Sequence, residues 1–476
     1  MSATALAPRS TSPSAAPDRR SWATLAVVAL AQFMVILDAT VVNVALPSIG
    51  EALGFAAADL QWVVTAYVLF TGGLMLLGGR ATDLLGRRAV FLTGLLVFTG
   101  ASLASGLAWS PAALIVARAV QGIGAALLVP AALAIVTTTY EGAQRRTALA
   151  VWGALGSAGA AAGVLLGGVI TTVLGWEWVF FVNVPVGVGV ALATVRLVPA
   201  APGQRTGTRL DLRGAVVVMA GLVTLVYALD GAPQHGWGSA RTLALLGVAA
   251  ALLAAFVAIE RRGAEPLVPA STWRMRPLIA SAAIMLGATG VLVGAFFLNT
   301  LYVQRILGDS ALETGLAFLP LAVVILLAAH IAAHLLEQIG SRGVVLAGAA
   351  LMAGGALLLA AAPDRASYLQ DLLPGLLVLG FGVGMAFVGA QITAMSEVRH
   401  EQAGLASGLM TTAHELGAAL GVAVLSAVAL SGSEGFAAGY GDGFLVAAAI
   451  AAALALVALV AVPSVRPAPG ARVSLH

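Results

Sequence analysis

The chain has no cysteine and no lysine among its 476 residues, and only 9% of them are charged. The first absence excludes disulfides, thiolate metal centres and thiol nucleophiles. The scarcity of charge excludes a soluble globular protein, in which about a quarter of the residues carry charge. Without lysine, all 24 positive side chains are arginine, a bias that a GC-rich genome produces together with abundant Ala and Gly.

What the chain has is apolar sequence, 60% of its residues, with a mean hydropathy of +1.00. Repeated runs of about 18 or more apolar residues predict many membrane-spanning helices rather than one large core. Breaks at charged, Gly and Pro clusters predict an all-α polytopic membrane protein of fourteen transmembrane helices. A calculated pI near 9.7 raises the question of a nucleic-acid partner. The arginines instead sit in short loops between apolar runs, the positive-inside pattern, so no nucleic acid is expected. With the amino terminus inside, most of the 24 arginines fall on the cytoplasmic side, while Arg241, Arg305 and Arg365 lie outside and Arg118 lies within a span. An even number of spans with both termini cytoplasmic preserves this split.

An internal repeat divides the chain. Asp83-Leu84-Leu85-Gly86-Arg87-Arg88 follows the second span, and Glu337-Gln338-Ile339-Gly340-Ser341-Arg342 follows the tenth. Acid, glycine and arginine recur at the same spacing, each at an expected cytoplasmic turn. The reading is two pseudo-symmetric six-helix bundles, 22–197 and 277–463, with two inserted transmembrane helices over 211–259. Residues 1–21 and 464–476 read as cytoplasmic tails, the first of them disordered, being rich in Ser, Pro and Ala. Parallel halves of this kind are a recurrent transporter plan with a binding site near the midplane.

The chemistry begins with Asp38, a carboxylate inside the apolar stretch Trp22 to Leu46. A charge in hydrocarbon is disfavoured by roughly 2.5–3.5 kcal/mol, so an intramembrane acid marks a functional site by default. Snorkelling to water fails as an explanation, because more membrane-compatible sequence follows it. Arg118 is the second buried charge. Asp38 lies about eight residues (~12 Å) below the outer end of the first span and Arg118 about six (~9 Å) below that of the fourth, so their depths match. Such a pair either tunes a proton site or serves only as a structural ion pair. Glu415, near mid-membrane in the thirteenth span, reads as a second proton site, a partner for a cationic substrate, or a local hydrogen-bonding group. His414, about 100° round the helix from it, reads as structural. His330, His334 and Glu337 share a helical face at a spacing that metal sites also use. Their place at a span end, with Glu337 in the repeated turn, argues against a metal.

Several motifs resemble one family. Gly79-Arg80-Ala81-Thr82-Asp83-Leu84-Leu85-Gly86-Arg87-Arg88 is similar to the loop signature of the major facilitator superfamily. Leu37–Pro47, Gln61–Tyr67 and Trp176-Glu177-Trp178-Val179-Phe180-Phe181-Val182-Asn183-Val184-Pro185 resemble its fourteen-span drug:proton antiporters. The resemblance implies that Asp83, Arg87 and Arg88, around the Gly79 and Gly86 turn, form a cytoplasmic gating cluster. It implies proton coupling at Asp38 and Arg118. Gly153, Gly156, Gly159, Gly163, Gly167 and Gly168 of the fifth span resemble the antiporter signature, with Val164 where that signature usually has proline. Their spacing permits close helix contact in any case. Asn43, Tyr67 and Gln121 are substrate-cavity candidates.

The expectation is a proton-coupled exporter of small amphiphilic compounds such as antibiotics or biocides, working as a monomer in a bacterial inner membrane. No cofactor is expected beyond the proton motive force. A transporter of one specific metabolite is the nearest alternative. A membrane-embedded enzyme or sensor is the more distant one, since no phosphate loop, nucleophile with base, or soluble domain is present.

Overall fold

The apolar runs become helices because a backbone in hydrocarbon has to satisfy its own hydrogen bonds. In a computed structural model, which describes residues 19–56, 59–140, 142–200, 210–263, 268, 271–363, 367–398, 403–431 and 436–464, every regular element described is helical. The elements are α1 (Arg19–Leu53), α2 (Trp62–Leu85), α3 (Arg87–Gly106), α4 (Pro111–Thr139), α5 (Gly142–Val173), α6 (Trp178–Phe181), α7 (Asn183–Leu197), α8 (Leu212–His235) and α9 (Ala240–Arg262). They continue with α10 (Arg276–Arg305), α11 (Ala311–Ala360), α12 (Leu373–Met395), α13 (Ala403–Ala429) and α14 (Phe436–Ala461). Most of the expected terminal tails, 1–18 and 465–476, lies outside the described residues.

Local chemistry sets the helix starts. The Ser110 hydroxyl accepts from the Ala113 amide while Pro111 opens α4, where its missing N–H costs nothing. Asp211 accepts from Gly214 N to start α8. Ser310 and Glu313 form a reciprocal capping box at α11.

Twelve of the described helices are long and apolar enough to cross a membrane, against an expectation of fourteen spans. Two features account for the difference. α11 runs unbroken by any loop for 50 residues, although Gly340 (φ 69°, ψ 170°) interrupts its helical geometry at the repeated turn. In α5 the described apolar stretch, Ala162–Val173, is shorter than a span.

Helices α1 to α7 pack against one another, and α10 to α14 do likewise. α1 lies on α5 and α7, and the second set repeats the pattern with α10 on α13 and α14. Glycine sets these distances. A Cβ on Gly94 would stand 2.7 Å from Leu128 N, one on Gly124 2.5 Å from Phe98 N, and one on Gly348 2.7 Å from Gly382 O. Backbone therefore meets backbone within each set, as small-residue contacts allow.

Between the sets, contact is concentrated on three pairs: α2 with α13, α5 with α11, and α1 with α10. A Cβ on Gly168 would stand 2.8 Å from Ala311 O, and one on Gly315 the same distance from Val164 O. Gln304 Nε2 donates to Val44 O at 3.0 Å. The α5–α11 and α1–α10 contacts lie at the end of the molecule where α1 finishes and α2 begins, whereas α2 and α13 touch along their length, from Gln61 and Ser426 to Leu76 and Gly408. α8 rests against both α2 and α13, and α9 rests on α8 with an exposed face including Leu243, Val248 and Val257.

Candidate functional site

Asp38 and Arg118 meet in the interior of the first helix set. Arg118 Nη1 lies 2.6 Å from Asp38 Oδ2, and the two side chains are 1% and 0% exposed. α4 brings the guanidinium inward because Gly122 and Gly124 let that helix press against α2 and α3. Arg118 Nε donates to the Val63 carbonyl at 3.0 Å, and Nη1 also reaches Gln121 Oε1 at 2.7 Å. Its Cζ sits 4.2 Å from the centre of the Tyr67 ring and 5.6 Å from that of Phe180. The guanidinium is therefore held by a carboxylate, a backbone carbonyl, an amide oxygen and two aromatic faces.

The other carboxylate oxygen is equally occupied. Gln121 Nε2 and Asn183 Nδ2 each donate to Asp38 Oδ1 at 2.8 Å. Both amides also donate to Ser102 Oγ, at 3.3 and 3.0 Å, and Ser102 donates onward to the Phe180 carbonyl at 3.0 Å. Both oxygens of Asp38 thus act only as acceptors, the role of an ionised carboxylate. The site joins α1, α2, α3, α4, α6 and α7. A proton arriving at Asp38 would meet donors on every side and would have to displace one of them.

Gln121 and Tyr67, expected in a substrate cavity, are fully buried parts of this network. Asn43 stands apart from it, bonding from Nδ2 to the Ala39 carbonyl of its own helix at 2.9 Å. Asn183 and Ser102 have no role in the sequence reading. Asn183 carried a usable signal, being a polar residue in the apolar Trp176–Pro185 run. Ser102 carried none, since lone serines are common in spans.

Glu415 lies in α13, across the boundary between the helix sets. A Cβ on Gly72 of α2 would lie 2.6 Å from the Glu415 Cβ, so the backbones are close there. Its described ionic partner is His414, with Nδ1 3.7 Å from Oε1, and the His414 ring lies 5.9 Å from that of Phe387. The expected separation of His414 from Glu415 is therefore not observed. Their backbones are 100° apart, yet two flexible side chains close that angle. His334 Nδ1 is engaged by the His330 carbonyl at 2.9 Å.

At the Gly86 turn (φ 91°), the arginines go elsewhere than expected. Arg87 reaches Thr138 Oγ1 of α4 at 2.5 Å, and Arg88 donates to the Val195 carbonyl of α7 at 3.0 Å. Among the described residues no ion pair joins either to Asp83, whose nearby charge is Arg80. The turn clamps three helices through neutral acceptors, because Thr138 and Val195 lie within the long reach of the guanidinium groups. Gly79 faces Pro130 of α4.

Along α5, Gly159 faces Ile36, Gly163 faces Thr40 and Gly167 faces Val41, a continuous seam with α1 beside Asp38. Gly168 turns the other way, to α11. The surroundings of Gly153 and Gly156 lie outside the described residues. Val164, in place of the usual proline, leaves α5 a continuous helix there.

Residues 28–422 match the family model described as Major Facilitator Superfamily. The chain is 41% identical over 432 residues to a puromycin resistance protein of Streptomyces alboniger, covering 89% of this chain and 85% of that one. It is also 41% identical over 449 residues to a cephamycin export protein of Amycolatopsis lactamdurans, covering 92% of each. Among solved structures, a bacterial homologue of the human lysosomal transporter Spinster, captured inward-facing and occupied, superimposes with a TM-score of 0.66 at 16% identity. That superposition covers 96% of this chain and 100% of that one.

Proposed function

Because the chain belongs to the major facilitator superfamily, a group of multi-pass membrane transporters, we propose that it exports small amphiphilic antibiotics or related drugs in exchange for protons. The observation that carries this reading is the fully buried Asp38, whose two oxygens accept from Arg118, Gln121 and Asn183. A relative that confers puromycin resistance and another that exports cephamycin favour antibiotics as the cargo class.

In this reading both termini face the cytoplasm of a bacterium, and the helices amount to fourteen spans when α5 and the two limbs of α11 are each counted. The spans form two six-helix halves, with α8 and α9 inserted between them, and one copy of the chain suffices. The end bearing Pro47 and Gln61 faces outward and is closed by the contacts between halves. The structure is then the inward-directed state after proton release, with Asp38 ionised and locked to Arg118. Return to the outward state would let a proton compete for Asp38 and loosen that lock. Cargo would occupy the space between the halves, where Glu415 and His414 offer polar groups. The clamp at Gly86 would steady one of the two states.

The test is reconstitution into proteoliposomes with an imposed inward proton gradient. Export of ethidium or puromycin should follow the gradient and stop when a protonophore dissipates it. Cargo movement indifferent to the gradient would overturn the reading.

A further inference from the structure

The inserted helices take no part in the Asp38 site, yet α8 holds a buried carboxylate of its own. Asp230 is 6% exposed, near the Gly236 end of the helix. Met219, Leu222 and Val226 precede it at spacings that form one helical stripe, and they pack in the same cluster as Ala418, Ala419 and Ala423 of α13. Met219 and Leu222 also face Gly73 of α2. Asp230 continues the stripe. The face that seats α8 over the line between α2 and α13 therefore also delivers a carboxylate there.

Two residues meet it. Trp62 Nε1 donates to Asp230 Oδ2 at 2.8 Å, and Gln61 Nε2 donates to Oδ1. The other end of the same amide, Gln61 Oε1, accepts from the Ser426 hydroxyl of α13. Gln61 and Ser426 are buried. One glutamine thus connects the inserted helix to the second half, from its place at the start of α2 in the first.

A glutamine amide offers donors at one end and an acceptor at the other, and a half-turn exchanges them. An ionised carboxylate only accepts. With Asp230 beside it, the NH2 group faces α8 and the carbonyl faces α13, where it accepts from Ser426. The Ser426 hydroxyl also lies 3.3 Å from the Ala423 carbonyl of its own helix. We propose that Asp230 is a positioning residue of the outer gate: it holds Gln61 across the seam with its carbonyl towards Ser426, the contact that latches α2 to α13. The inserted helix pair thereby gains a working part in closure. A second latch, Gln304 to the Val44 carbonyl, joins α10 to α1 without α8, so the two act separately.

This inference rests on alternating access, since a latch matters only where a seam opens, but its test does not need proton coupling. The natural absence of cysteine lets spin labels be placed by two substitutions alone, Ala52→Cys beside the end of α1 and Ser431→Cys beyond α13, both at exposed positions. Electron–electron resonance distances in nanodiscs then report the open and closed populations of that end. Asp230→Ala and Ser426→Ala should each raise the open-to-closed ratio about five-fold, the worth of one net hydrogen bond. The double variant should open no further than either single one, because both break the same latch. If Asp230→Ala folds poorly, Asp230→Leu serves in its place, restoring volume without restoring an acceptor. Additive effects, or distances untouched by loss of Asp230, would overturn the proposal, since a packing role gives additivity. If the cycle holds while unlabelled protein moves no ethidium, the latch stands and the export reading falls.

Discussion

Asp38→Asn separates folding from coupling, because the substitution changes only one side of the carboxylate. Asparagine keeps an oxygen for Gln121 and Asn183, but it presents an NH2 group where Arg118 Nη1 now lies 2.6 Å from Oδ2. Two donors then face each other, and the arginine remains charged. Removing one partner of a buried ion pair costs about 3–5 kcal/mol. Arg118 retains the Val63 carbonyl, Gln121 Oε1 and the Tyr67 face 4.2 Å away. A desolvated cation over an aromatic ring is worth about 2 kcal/mol, so the loss should fall at the low end, about 3 kcal/mol. Adding Arg118→Met removes the orphaned charge and should recover about 2 kcal/mol of that loss in unfolding experiments. Coupling should not recover. One proton crossing ~100 mV supplies about 2.3 kcal/mol, enough to sustain a roughly fifty-fold gradient of a neutral cargo exchanged one for one. In proteoliposomes held at that potential, wild type should approach this ratio, and both variants should relax towards equal concentrations on the two sides. A folded Asp38→Asn protein that keeps the wild-type gradient, or a double variant that regains it, would refute the assignment.

The same geometry ranks two further pairs of substitutions. Asn183→Ala removes a donor to an ionised carboxylate, worth about 1.5–3 kcal/mol, whereas Asn43→Ala removes a bond within one helix, worth about 1 kcal/mol. Thermal unfolding in detergent should show the larger loss at Asn183. Gly340→Ala forces a side chain into the region near φ 69°, ψ 170° at a cost of about 1–3 kcal/mol, and should lower both melting temperature and transport. Gly354→Ala, in the helical interior of the same run with open space around it, should instead raise the melting temperature slightly.

A charge in an apolar run stands out in sequence, and so Asp38 and Arg118 were legible, together with their shared depth. The donors that complete the site were less so: Asn183 stands out only as a lone neutral polar residue in an apolar run, and Ser102 leaves no mark, since lone serines cost little in a span. Asp230 carried the same mark as Asp38, but its position near a helix end made it resemble an ordinary interfacial acid. Spacing located the turn at Gly86, yet it could not say where Arg87 and Arg88 would reach, since long guanidinium side chains choose among acceptors on neighbouring helices. The helix count was read from breaks in hydropathy. At the repeated turn the two limbs of α11 join through the non-helical Gly340 alone, so that break in hydropathy has no loop beside it.

The glycine contacts inside each half have a mechanical consequence. Where Gly94 meets Leu128, or Gly348 meets Gly382, main chain presses on main chain, with no flexible side chain between them to absorb displacement. Each half is therefore stiff, and compliance is left to the boundary where α2 touches α13 and α5 touches α11. In the exchange proposed for this chain, a small chemical event at one carboxylate would then not dissipate as scattered local relaxation but would turn whole blocks.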